Sequence, residues 1–102
     1  MEMDVLEKEK ALQILIDLYK LEGIEGKEKR AKNKIAKRIG GSPSTFIKRF
    51  RELEKAGLVV IEQEKEFPFK EYIFLTREGR EIAKRLVEIK EIIERLGKKK
   101  GE

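Results

Sequence analysis

The sequence predicts a mainly α-helical domain with one small β-hairpin, an α+β fold in the order helix, helix, helix, strand, strand, helix. Apolar residues recur at helical spacing in four segments of the chain. Two runs rich in β-branched and aromatic residues, Leu58–Gln63 and Glu71–Leu75, stand side by side with only a short turn region between them. Glycines and a Ser-Pro step punctuate the helical segments where helices start and stop. With 102 residues the chain is one domain on length, able to bury one modest core.

The first helix is expected over Asp4–Leu21. Val5, Leu12, Leu15, Ile16 and Tyr19 mark its apolar stripe, Leu18 and Leu21 widen it, and Gly23 and Gly26 follow its end. A second helix is expected over Lys29–Ile39. Ala31, Ile35, Ala36 and Ile39 are its apolar positions, the rest is almost wholly basic, and Gly40-Gly41 stops it. The third helix has the clearest start: Ser42 suits the N-cap and Pro43 the first helical position. Phe46, Phe50 and Leu53 then fall on one face, and Gly57 closes the helix. The two strands follow, joined through Glu64–Phe69 with Pro68. Thr76 is placed to cap a last helix running to about Leu96. Its apolar residues Ile82, Leu86, Ile89, Ile93 and Leu96 are spaced 4, 3, 4 and 3, the pattern of a coiled-coil seam, with Val87 and Ile92 broadening it. Residues 97–102 read as a frayed basic tail.

The composition excludes several kinds of chemistry. The chain has no cysteine and no histidine, which removes disulfides, thiolate nucleophiles, the usual zinc ligands and the commonest general base. An enzyme, a metal site and a cofactor are therefore not expected. No run of about 18 apolar residues exists to span a membrane, and Met1-Glu2-Met3-Asp4 carries acid where a signal peptide carries base, so the expected location is the cytoplasm. Charged residues make up 44% of the chain, and a Lys/Glu-rich, Cys-free composition is the hyperthermophile pattern. The net charge of +5 conceals a strong asymmetry. Between Lys27 and Arg51 stand ten basic residues and one acid, Glu28, a net +9 that leaves −4 for the rest. Clustered positive charge of this kind is the footprint of a polyanion binder.

The run Lys34-Ile35-Ala36-Lys37-Arg38-Ile39-Gly40-Gly41-Ser42-Pro43-Ser44-Thr45-Phe46 resembles the helix-turn-helix of winged-helix transcription regulators. Leu53-Glu54-Lys55-Ala56-Gly57-Leu58-Val59 is similar to the segment leading into their β-hairpin wing, and Leu75-Thr76-Arg77-Glu78-Gly79-Arg80 to the junction with the next helix. The resemblance covers about Lys29 to Ala83 and lies near the MarR/PadR-like regulators. The whole chain also resembles small archaeal winged-helix chromatin proteins that dimerise through a C-terminal coiled coil. Either resemblance implies a winged helix-turn-helix DNA-binding domain over residues 1–76, a dimerisation helix over 77–96, and a basic tail over 97–102.

The resemblance also implies a set of contacts. The third helix, residues 43–56, would lie in the major groove with Ser42, Ser44, Thr45, Lys48 and Arg49 exposed towards DNA, and Phe46, Phe50 and Leu53 in the core. Lys32, Lys34, Lys37 and Arg38 of the preceding helix, and Lys65 and Lys70 of the wing, would reach phosphate. Two features depart from the pattern. Ile47 stands where a polar residue is common and is expected to be partly buried; the other reading is an exposed side chain that touches a thymine methyl. The wing tip, Glu64-Lys65-Glu66-Phe67-Pro68-Phe69-Lys70, mixes acids with base. Its Phe67 and Phe69 are expected to fold back on the domain; the other reading is an apolar wedge or a protein contact. The expected partners are double-stranded DNA and a second copy of the chain, joined through Ile82, Leu86, Ile89, Ile93 and Leu96. The expected role is a dimeric transcription regulator. The alternatives are a nucleoid-associated architectural chromatin protein with little sequence preference, or a winged helix used for protein contact in a larger complex.

Overall fold

Phe46, Phe50 and Leu53 bring one face of a single helix into the centre of the core, and the other elements close around that face. A computed structural model describes the backbone of residues 4–100 and the side chains of residues 4–98. Its elements are α1 (Asp4–Glu7), α2 (Ala11–Lys20), a 3-10 turn (Glu28–Arg30), α3 (Lys32–Ile39), α4 (Pro43–Lys55), β1 (Val59–Gln63), β2 (Glu71–Leu75) and α5 (Arg77–Lys100). The core takes Ile14, Leu15 and Leu18 from α2, Ile35 from α3, Ile73 and Leu75 from β2 and Ala83 from α5, together with Leu58 and Val59. The strands form an antiparallel hairpin running from Val59 opposite Leu75 to Gln63 opposite Glu71. Ala31 adds a short antiparallel bridge to Tyr72, tying the approach to α3 onto the hairpin.

The hairpin and the start of α4 lie where the sequence places them. Other boundaries differ, each for a local reason. The expected first helix divides into α1 and α2 because Lys10 takes a left-handed conformation, φ 71°, at the break. The buried face of α2 is accordingly Ala11, Ile14, Leu15 and Leu18, while Leu12 is exposed. The second helix begins at Lys32, not Lys29, because Ala31 is extended to make its bridge with Tyr72. Ser42 starts α4 through its backbone: its carbonyl accepts from the Thr45 and Phe46 N–H groups at 3.1 and 3.3 Å. Its hydroxyl makes no capping bond and lies instead 2.9 Å from the Ser44 hydroxyl. The last helix runs through residues 97–100, so that part of the expected frayed tail is helical, and residues 101–102 lie outside the described residues.

The ends of the hairpin are locked together at one junction. The Thr76 N–H donates to the Leu58 carbonyl at 3.1 Å. The Thr76 hydroxyl donates to the Gly57 carbonyl at 2.7 Å and accepts the Gly79 N–H at 2.9 Å, capping α5 as its position predicts. Gly79 itself is pressed against the start of β1. A Cβ there would stand 1.9 Å from the Leu58 carbonyl oxygen, so only glycine allows the first turn of α5 to sit this close.

Substituting Gly79→Ala should therefore destabilise the fold by about 2–3 kcal/mol, because the obstacle is backbone and cannot rotate away. Gly97→Ala is the control. Nothing lies within 4 Å of a Cβ at that helical position, and the change should stabilise slightly, by about 0.5 kcal/mol. Chemical denaturation checks both. Equal effects at the two sites would contradict the packing described.

Candidate nucleic-acid interface

Successive helical residues are about 100° apart, so the face of α4 opposite Phe46, Phe50 and Leu53 is defined by spacing. It carries Ser44, Lys48, Arg51 and Lys55, all exposed, with the exposed Ile47 and Glu54 along one edge and the half-buried Thr45 along the other. Lys48 and Arg51 have no ion-pair partner among the described residues. Arg51 belongs to this stripe at four residues beyond Ile47 and three beyond Lys48, a signal available in the sequence that the residue-type reading passed over. Ile47 is 53% exposed, which corrects the expectation that it is partly buried. The inward positions of α4 are already filled by the two phenylalanines, Leu53 and Arg49.

Arg49 is the main correction to the expected site. It is buried, with 9% of its surface accessible, and does not point outwards beside Lys48. It stands three residues after Phe46 and four before Leu53, on the flank of the apolar face. Its Nε donates to the Glu9 carbonyl at 2.7 Å, and its guanidinium pairs with Glu52. Glu52 also pairs with Lys8, and the Lys8 hydrogen bond is the largest cause holding its carboxyl below the usual range. Arg49 and Lys8 thus tie α4 to the break between α1 and α2.

The basic residues around α3 divide in the same way. Arg38 makes a two-pronged contact with Asp17 at 3.1 and 2.7 Å and donates to the Lys29 carbonyl, so it fastens α3 to α2. Arg30 is 9% exposed, donates to the Leu21 carbonyl at 2.9 Å and lies over the Phe74 ring. Lys32 pairs with Glu71 of β2 at 2.7 Å. Lys34 and Lys37 are exposed and have no ion-pair partner among the described residues. Of the expected cations on α3, Lys34 and Lys37 are therefore the two left open to an external anion.

The wing flanks this surface. Arg51, Glu54 and Lys55 of α4, Ile61 and Gln63 of β1, and Lys32 and Glu71 line one open concavity. Two of the wing's acids are occupied internally. Glu71 is held by Lys32, and Glu64 accepts the Tyr72 hydroxyl at 2.5 Å, the main cause that pushes the Tyr72 ionisation up to about 12. Lys65 and Lys70 are exposed. Phe67 does not fold back on the domain, whereas Phe69, 48% exposed, borders a concavity with Lys32 and Asn33 of α3. Phe67 is 84% exposed, and the two rings meet edge to face, 6.0 Å apart, at the tip. Two backbone hydrogen bonds close the turn: Phe69 N–H to the Glu66 carbonyl, and Glu64 N–H to the Lys70 carbonyl.

The expected seam on α5 also divides. Ile82 and Leu86 are partly buried against the chain's own core. Ile89, Ile92, Ile93 and Leu96 are exposed, as is every residue from 88 to 98.

A basic helix, a glycine turn, a second helix with Lys48 and Arg51 on its outward face and a hairpin after it define a winged helix-turn-helix protein. Residues 10–100 match the model of the HxlR-like helix-turn-helix family, and the chain belongs to that family. No curated protein sequence matches it. Among solved structures it is similar to AF1382 from Archaeoglobus fulgidus, with 28% identity and a TM-score of 0.73 over 90% of this chain and 96% of that one. It is also similar to a transcriptional regulator homologue from Pyrococcus horikoshii OT3, with 25% identity and a TM-score of 0.68 over 94% and 91%. The MepR–DNA complex of Staphylococcus aureus shares the fold at 18% identity, with a TM-score of 0.77 over 96% of this chain and 69% of that one. Among the described residues, no helix is long and apolar enough to cross a membrane.

Arg49→Ala should act on stability. Losing a buried charged hydrogen bond and leaving Glu52 with one partner should cost about 2 kcal/mol. A variant with wild-type denaturation would contradict the inward placement of Arg49.

Proposed function

We propose that this protein is a homodimeric transcription regulator that binds double-stranded DNA with α4 in the major groove. The observation that carries the reading is the outward face of α4, where Ser44, Lys48 and Arg51 stand together, neither cation having an ion-pair partner among the described residues, in a stretch with no acid between Lys29 and Arg51. Lys34 and Lys37 of α3 supply contacts to the adjoining phosphates, and Lys65 and Lys70 of the wing contact the backbone beyond. Membership of the HxlR-like helix-turn-helix family and the fold shared with a DNA-bound regulator support the reading.

The second half of α5 supports dimerisation. Four large apolar side chains, Ile89, Ile92, Ile93 and Leu96, lie uncovered at helical spacing on its terminal turns. A second copy packed along this stripe buries them, and a twofold axis there sets two α4 helices at successive major grooves, about 34 Å apart. The seam consists of these four residues, because Ile82 and Leu86 are engaged with their own core.

Two experiments test these statements. Lys48→Ala combined with Arg51→Ala should weaken binding to duplex DNA more than tenfold in an anisotropy titration. The salt dependence should become shallower by about two phosphates per protomer, with denaturation unchanged. Unaltered affinity would overturn the placement of α4. Ile89→Glu combined with Ile93→Glu should shift sedimentation from dimer to monomer, whereas a wild-type monomer at micromolar concentration would remove the dimer.

A further inference from the structure

Ile47 stands at the edge of the outward face of α4, beside Ser44 and Arg51 and one heptad before Glu54. It is 53% exposed, three residues after Ser44 and four before Arg51, and follows directly on the Phe46 that anchors the core. The described residues leave more than half of it uncovered. A β-branched residue forms helix less readily than Ala, Lys or Gln, and more than half of this side chain meets water. Its surroundings select the partner that would cover it. Lys48 and Arg51 beside it favour a polyanion, and the acid on the same flank, Glu54, lies two turns further towards the C-terminal end of α4. Ile47 is also the fifth residue of α4, within the N-terminal part of a recognition helix that approaches base edges. The edges exposed in the major groove are hydrogen-bond donors and acceptors with one apolar exception, the C5-methyl group of thymine.

We infer that Ile47 reads a thymine methyl, making it a specificity-determining residue whose contact is apolar. The inference rests on the proposed placement of α4 in the major groove. Within that placement, Lys48 and Arg51 hold the helix by charge and Ile47 selects the base pair beneath. Burying one methyl against an isoleucine is worth a few-fold in affinity, enough to favour a T·A pair at one position of each half-site without dominating the binding.

The test uses the full chain and a random-sequence duplex library. Selection with the wild-type protein should enrich thymine at one position of each half-site. Replacing that thymine by uracil, which pairs identically but lacks the methyl, should weaken binding about fourfold for each methyl removed. Ile47→Ala should bind the thymine and uracil duplexes equally, and Ile47→Val should keep most of the discrimination. Since the side chain is largely exposed, both variants should denature like the wild type. Binding to duplex DNA with no difference between thymine and uracil at any position would overturn the inference and leave the DNA-binding reading standing. No binding to any duplex at low salt would overturn both.

Discussion

The contact between Gly79 and the Leu58 carbonyl sets the arrangement of everything around it. It lets the first turn of α5 lie directly on the backbone at the start of β1, where Thr76 bonds to both Gly57 and Leu58. The end of α4, both ends of the hairpin and the start of α5 therefore meet at one place. Leu58 and Val59 enter the core just beside it, next to Leu53 and Ala83. A methyl group at Gly79 would separate α5 from β1 and tilt the wing and the terminal helix relative to α4. The proposed DNA-binding face and the proposed dimer stripe belong to different helices, and this junction is the direct covalent and packing route between them.

Positive charge is divided by the fold between two roles. Arg30, Arg38 and Arg49 are each spent on fixed backbone carbonyls, and Arg38 and Arg49 on carboxylates as well. Arginine suits that work, because its planar fork satisfies two acceptors at once. The cations left at the surface of α3 and the N-terminal half of α4 are lysines, Lys34, Lys37 and Lys48, joined by Arg51. The +9 segment thus overstates the charge presented to a ligand, while the acids of the wing understate it. Glu64 and Glu71 answer to Tyr72 and Lys32, leaving Lys65 and Lys70 facing out with Glu62 and Glu66.

Where a local signal and a tertiary contact agree, the sequence is sufficient. The start of α4 at Pro43, the strand Glu71–Leu75 and the cap at Thr76 each carry their own punctuation, and each lies where it is expected. Where a tertiary contact overrides the pattern, it is not. Nothing in the apolar spacing from Val5 to Tyr19 announces the left-handed Lys10, and the break exists where Lys8 and the Glu9 carbonyl meet Glu52 and Arg49. Ala31 continues a helical pattern but is drawn out to pair with Tyr72. The candidate site shows the same limit at finer grain. Lys48 and Arg49 look equivalent as neighbouring cations, yet only the spacing from Phe46 and Leu53 separates the one that faces out from the one that faces in.

The central claim is that the face of α4 bearing Ser44, Ile47, Lys48 and Arg51 is the surface that meets DNA. An NMR titration of the labelled protein with duplex DNA tests it most directly. The largest shifts should fall on the amides and side chains of those four residues, with smaller shifts at Lys34 and Lys37. The Arg49 guanidinium and the α5 stripe at Ile89 and Ile93 should stay in place. Shifts concentrated on α2 or α5, with the outward face of α4 silent, would contradict it.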